Sequence, residues 1–332
     1  MTENTPNTEG LPSSVILNMK LEGIFMPHAR AQRDNFYQKS KRFVHYTSAD
    51  NALKIIRTKR LWMRNTTCMA DYREVQHGYD MLASFFSDQV RRETFTAALD
   101  LCFPGVAIEA LTLFDQWWAH IRFNTYISAI SEHEDNEDLH GRLSMWRAFG
   151  GRLPKVALVF RVPWYSGGAE QLNLMFSPVA YMNEQQVHAT IDLVIENIKA
   201  AVDFLRKLER QTVVAHVFGM LLGGVTCVKH EGFHEEREWR AIYTPKRAQS
   251  PLMIPSTEVI GGVPQIIYQL PLDNSVSPAL AELDLASMFD RLIVGPSLYP
   301  WAMYEAFADA LAKAGVPDAG DRVHTSGIPL RA

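Results

Sequence analysis

The chain has 332 residues, 47% of them hydrophobic and 21% charged, which excludes disorder by composition and is enough for one large domain or two ordinary ones. Lysine and arginine number 33 against 37 acidic residues, and the net charge of -4 argues against nucleic-acid binding through bulk charge. Cys68, Cys102 and Cys227 lie far apart in the sequence, which excludes a disulfide framework and a cysteine-built zinc ribbon.

Residues 1–41 read as an N-terminal extension, partly disordered: rich in Thr, Asn, Pro, Gly and Ser to about residue 15, mixed thereafter. The opening residues lack the basic patch and apolar run of a signal peptide. Arg42 to Tyr46 alternates and is β-prone, predicting a strand. Ser48 then suits an N-cap, with Ala49, Ala52, Leu53 and Ile56 giving a short amphipathic helix, and Arg60 to Met63 returns as a strand. Val75 to Asp100 and Ala107 to Arg122 carry helical periodicity around a break at Pro104-Gly105. Asn124 to Ile130 reads as a strand and Glu132 to Asp138 as a charged loop. Leu143 to Phe149 reads as a helix stopped at Gly150-Gly151, and Lys155 to Phe160 as a buried strand.

The clearest helix spans residues 184–210, with Val187, Ile191, Val194, Ile198, Ala201 and Leu205 along one face. A second helix is expected to reach Leu222 and stop at Gly223-Gly224. The most apolar stretch, Val213 to Val225, is too short to span a bilayer. Strands are expected at Trp239 to Tyr243, Gln265 to Leu270, Leu292 to Val294 and around Val323, and a helix from Pro300 to Ala314, ended by Gly315. These elements predict an α+β protein: a single mixed-sheet domain over 42–331, with helical insertions around 75–122 and 184–222. A cytoplasmic protein that does not enter membranes is the expectation.

Three groups of residues could carry chemistry. His230-Glu231-Gly232-Phe233-His234 matches H-E-x-x-H, in which two histidines one helical turn apart bind zinc and the glutamate polarises its water. The surrounding glycines and β-branched residues predict a loop or turn instead of the helix that this chemistry needs, so a zinc hydrolase is the second alternative and no metal is expected. Glu236 and Glu238 lie two apart before Trp239-Arg240; on a strand, alternation would set both carboxylates on one face and raise one pKa. Arg237 and Arg240 could equally compensate them as a solvated edge. His45-Tyr46-Thr47 closes the first strand before the capped helix, where loops often carry function. Trp117-Trp118 and Met145-Trp146 read as packing residues. A glycine-rich phosphate loop and a Gly-x-Ser-x-Gly elbow are both missing.

Several of these segments, in this order, resemble a mostly bacterial family, domain-of-unknown-function family 2971. They are Val44-His-Tyr-Thr-Ser48, Ala52-Leu53, Leu61-Trp62, Asp71-x-x-Glu74, Ser144-Met-Trp146, Phe149-Gly150 and Val156 to Phe160. The series continues through Lys229-His230, Gly232-Phe233, Glu235-Glu236, Glu238-Trp-Arg240, Val294-Gly-Pro296 and Ser326-Gly-Ile-Pro329. Ala70 departs from the asparagine usual in that family. A more distant likeness is to ADP-ribosyltransferase-type domains, whose first strand ends in His-x-Thr or His-x-Ser and whose last motif is often Glu-x-Glu at a strand start.

That second resemblance implies NAD as co-substrate, bound by His45, Tyr46 and Thr47, with Glu238 catalytic and Glu236 assisting. The implied activity is ADP-ribosyl transfer or NAD glycohydrolysis, as in a toxin or defence effector, with the acceptor a protein, a nucleic acid or water. A preplaced carboxylate would stabilise the oxocarbenium-like ribose as nicotinamide leaves. Tyr46 stands where many such domains have glycine, and Tyr126, Ser128 and Ser131 are the candidates for the middle motif. The alternative is a non-catalytic interaction domain in which His45 bonds a backbone carbonyl and Glu238 pairs with Arg240 or another basic residue to hold the sheet.

Overall fold

The computed structural model describes residues 11–69, 74–148 and 153–329. The Asp71 to Arg73 part of the Asp71-x-x-Glu74 motif, Ala70, Phe149 and the Gly150-Gly151 stop lie outside the described residues. Helices α1 (Ser13–Phe25) and α2 (Pro27–Gln38) precede β1 (Arg42–Ser48), α3 (Ala49–Thr58) and β2 (Arg60–Asn65). Then come α4 (Glu74–Ser87), α5 (Gln89–Asp100), α6 (Val106–Phe123), β3 (Tyr126–His133), α7 (Leu143–Ala148) and β4 (Lys155–Phe160). They are followed by α8 (Gly167–Gln171), β5 (Met175–Pro178), β6 (Ala180–Tyr181), α9 (Glu184–Ala200), α10 (Val202–Leu205), α11 (Arg210–Cys227) and β7 (Val228–Lys229). The last stretch holds β8 (Glu238–Tyr243), β9 (Ile254–Ile260), β10 (Val263–Pro271), α12 (Leu285–Met288), β11 (Phe289–Val294), α13 (Pro300–Lys313) and β12 (Val323–Thr325). The protein is therefore α+β. Among the described residues no helix is long and apolar enough to cross a membrane.

The described residues gather into two compact units, one drawn from 1–39, 66–125 and 177–234, the other from 40–65, 126–176 and 235–332. The segments expected as insertions into a single domain thus build a helical unit together with the N-terminal segment. That segment is not a loose extension from residue 13 on: α1 packs on α9 and α11, and α2 on α9, because Leu21, Ile24, Phe25 and Phe36 need cover. The long helix expected over Val75 to Asp100 divides at Asp88, whose carboxylate accepts from the Arg91 amide at 3.1 Å and caps α5. Helix α9 buries the expected stripe of Val187, Ile191, Val194 and Ile198, and Asn183 with Gln186 forms a capping box at its start. It ends at Ala200, short of the predicted residue 210.

The stop expected at Gly223-Gly224 does not occur, since α11 continues to Cys227. Gly224 lies at a close helix approach, where a Cβ would meet Leu82 of α4 at 3.0 Å. A Cβ on Gly78 of α4 would lie 2.6 Å from the Gly224 carbonyl and 2.7 Å from the Val225 Cα. The backbones of α4 and α11 therefore touch, a contact that outweighs the poor helix propensity of glycine. Gly78→Ala is expected to force the two helices apart and cost about 2–3 kcal/mol, measured by denaturant unfolding.

In the second unit the sheet order is β12-β11-β4-β1-β3-β2-β10-β9, with β8 also paired to β3. Within this set β11 and β12 run parallel and the other neighbours antiparallel. Tyr126 pairs with both Asn65 and Tyr243, and Ser131 with both Val44 and Glu238. So β8 occupies one edge of β3, while β1 and β2 share the other. On that shared edge β1 pairs at 131–133 and β2 at 126–127, and the strands diverge between them.

One sheet face carries the large core of Val156, Leu158, Phe160, Met63, Tyr126 and Tyr243, packed with Ile55 and Ile56 of α3 and Leu311 of α13. The other face carries Val44, Tyr46, Ala157, Val159 and Ile293 under Met145 and Trp146 of α7. Ser48 caps α3 as predicted, accepting from the Asn51 amide at 3.3 Å. Helix α13 ends two residues before Gly315, whose φ of +90° favours glycine. Strand β9 was not predicted from the sequence.

Candidate functional site

Strand alternation fixes where the proposed catalytic groups project. Val44, Ser131 and Glu238 stand in one line across β1, β3 and β8, and directly opposed residues share a face. His45, one residue on from Val44, therefore projects from the opposite face to Glu238. Side-chain contacts agree: Phe43, in step with His45, packs edge-on to Trp239 at 5.2 Å, and Trp239 is the neighbour of Glu238. With two strand spacings between them, the Cα atoms of His45 and Glu238 are about 10 Å apart and their side chains diverge. The structure does not bring these two groups together.

Each group is engaged where it stands. His45 is half-buried at the gap in the β3 edge, and its Nδ1–H donates to the Ala129 carbonyl at 3.0 Å. Burial lowers its imidazole pKa, opposed by this bond, so the neutral ring takes the place of the missing ladder partner. Tyr46 turns the other way. Its ring meets Trp146 edge-on at 4.8 Å and its hydroxyl accepts from the Arg142 amide at 2.7 Å. Burial pushes the Tyr46 phenol up to about 12. Thr47 pairs with Val156 and shares the face of His45. Of the middle-motif candidates, Tyr126 and Ser128 lie on the face of His45 and Ser131 on that of Glu238.

Glu238 is 7% exposed and Arg240 1%. The guanidinium reaches both carboxylate oxygens, Nε to Oε1 at 2.8 Å and a terminal nitrogen to Oε2 at 3.2 Å. This is a bidentate, charge-assisted pair between residues two apart on one strand face. Glu236 does not share that face by alternation. It ends the 3-10 turn Glu231–Glu236, and Arg237 follows at φ 44°, so the run is not extended and period two does not apply. Arg237 instead reaches Glu134 at 2.8 Å and Glu137 at 2.9 Å.

The H-E-x-x-H residues fall as the surrounding sequence predicts, on a turn. In a 3-10 helix residues i and i+3 eclipse, which sets i and i+4 a third of a turn apart. His230 lies before that turn and accepts from the Gly232 amide at 3.1 Å, while the His234 Nδ1–H donates to the Glu231 carbonyl at 3.1 Å. The α-helical face that the zinc-peptidase mechanism needs is not formed by His230, Glu231 and His234.

Arg142 is the organiser that sequence reading missed. It donates to Glu137 at 2.9 Å, to the Glu132 carbonyl at 2.7 Å and to the Glu235 carbonyl at 2.7 Å, tying the end of β3 to the approach to β8. It stands in an otherwise ordinary polar stretch, and nothing in spacing or periodicity marks it. The motif residues around it converge on Trp146. A Cβ on Gly295 would meet that indole at 2.9 Å, one on Gly141 at 2.7 Å, and Ile328 packs on the same cluster. Val44, Tyr46, Met145, Trp146, Gly295 and Ile328 thus build one packed layer.

No curated protein and no solved structure matches the chain. The sequence from Met145 to Ala241 includes Trp146, β4, Glu236, Glu238 and Arg240, and leaves His45 outside. Over those residues, 145–241, the chain matches the model of the family described as protein of unknown function (DUF2971).

Proposed function

We propose that the chain works by binding a partner and that its sheet unit is a non-catalytic interaction domain. The observation that carries this reading is the bidentate Glu238–Arg240 pair, buried on the sheet face opposite to His45. A carboxylate that stabilises a developing oxocarbenium must lie against the ribose, on the side where the nucleotide is held. Glu238 faces away from the proposed NAD ligands His45 and Thr47, and its two oxygens are occupied by a guanidinium. His45 in turn completes the sheet at Ala129.

A second reading keeps NAD as a co-substrate. His45 and Thr47 are half-buried on one face of β1 beside the gap between β1 and β2, a pair that could hold part of a nucleotide. In that reading ADP-ribose transfer would proceed without direct contact from Glu238. One experiment separates the two: the full chain is incubated with NAD, with and without cell lysate as acceptor, and free nicotinamide is measured for the native protein and for Glu238→Gln. The binding reading expects no release above the protein-free control. Release by the native chain that disappears in a folded Glu238→Gln protein overturns it in favour of the transferase, and release that persists favours a nucleotide site without Glu238.

A further inference from the structure

We propose that the open edge of β9 is a two-fold interface at which a second copy of this chain adds its own β9 in antiparallel register. Among the described residues β9 is the terminal strand of its sheet and pairs with β10 alone. It sets Pro255 opposite Tyr268, Thr257 opposite Ile266 and Val259 opposite Pro264. Proline has no N–H for the ladder and sits in sheets with its nitrogen turned to the open side. By alternation, Thr257 and Val259 also direct their N–H and C=O groups outward. The hairpin is apolar at its surface, with Val259 67% exposed, Val263 54%, Ile266 53% and Ile254 44%. Pro255 protects one end of this edge, but from Ser256 to Ile260 it lacks the lysines, further prolines and bulges that keep edges apart.

The pattern of outward groups is self-complementary about Thr257. In the two-fold register each Thr257 N–H donates to the carbonyl of the other Thr257, and each Val259 N–H donates to the Pro255 carbonyl of the second copy. Charge agrees with this register. Glu258 is the one ionisable residue of β9, and the register sets it opposite Ser256 of the second copy, not opposite its own counterpart. The Ser256 hydroxyl already donates to Glu258 at 3.4 Å within the strand, so the pairing needs no new charge compensation. Pro255 ends the ladder at both sides, which favours a closed pair over a growing fibril.

Pairing two seven-residue strands buries on the order of 800–1,000 Å² in total, below the roughly 1,200 Å² of stable complexes, so the dimer is weak. The test is sedimentation equilibrium of the full chain from about 5 to about 500 µM, where a Kd of about 10–100 µM carries the mass from monomer to dimer. Thr257→Pro removes the central outward donor and leaves the bonds from β9 to β10 in place; Val259→Lys puts a charge on the edge. Each is expected to raise the Kd about tenfold or more, with an unchanged circular dichroism spectrum. A native chain that stays monomeric over the whole range, or a dimer that persists in both folded variants, overturns the proposal.

Discussion

Arg42→Met is expected to destabilise the protein by about 3–5 kcal/mol at neutral pH, read as a lower denaturant midpoint with an unchanged m-value. Arg42 is 2% exposed, and its guanidinium donates to Asp290 at 2.6 Å and to Asp135 and Asp138 at 2.7 Å each. His133, fully buried beside it, bonds Asp138 through Nε2 at 2.8 Å. Removing the cation breaks all three of these pairs and leaves Asp138 and Asp290 to Arg291, 3.0 Å from each, and to the exposed Arg161, a worse outcome than removing all the charges together.

The pH dependence of this loss has a fixed sign. Burial opposes ionisation of Asp290, but the bonds from Arg42 and Arg291 more than offset it and hold the carboxyl below its usual range. A depressed carboxyl contributes stability above its unfolded pKa of about 4, and that stability is lost as pH falls through the folded value. The penalty of Arg42→Met therefore shrinks as pH falls below about 4, as Asp290 is protonated and the lost attraction ceases to matter. His133 has the opposite character. Burial lowers its pKa despite Asp138, so the folded state keeps it neutral and stability already declines as pH falls below about 6.5, where the unfolded chain takes up the proton. A penalty that is independent of pH would show that Arg42 acts through packing alone.

The second large effect is at β8, where the family match ends. Arg240→Met is expected to cost about 3–4 kcal/mol, because it strips both guanidinium bonds from a buried carboxylate while filling much of the same volume. Glu238→Gln keeps a hydrogen-bond acceptor and should cost less, about 2 kcal/mol. Thermal or denaturant unfolding checks both. A catalytic Glu238 would show the reverse pattern, since active-site carboxylates are commonly replaced with little loss of stability and large loss of activity.

Much of the sheet unit was legible because its signals are local. Ser48 before an apolar helical stripe, the unbroken run of β4 and Gly315 after α13 each state their structure within a few residues. The gathering of Met145-Trp146 with Gly295 could be anticipated only in part, as packing residues without a partner. What escaped was set by register and by contact. Whether Glu238 and His45 share a face depends on how β3 aligns two strands separated by almost two hundred residues, and a one-residue slip inverts the answer. The pairing of Glu236 with Glu238 failed because Arg237 adopts a positive φ that glycine would have announced and arginine does not. At Gly223-Gly224 the stop signal is local, whereas the close approach of α4 to Gly224 is a contact between helices far apart in sequence. β9, with Pro255 and polar residues between its apolar ones, resembles a loop until β10 is there to pair with it.

The most direct test of the account is a double-mutant cycle between Glu238→Gln and Arg240→Met, read by equilibrium unfolding. A structural pair predicts a coupling energy of about 1.5–3 kcal/mol, with the double variant little worse than Arg240→Met alone. Coupling near zero, with Glu238→Gln as stable as the native chain, would contradict it.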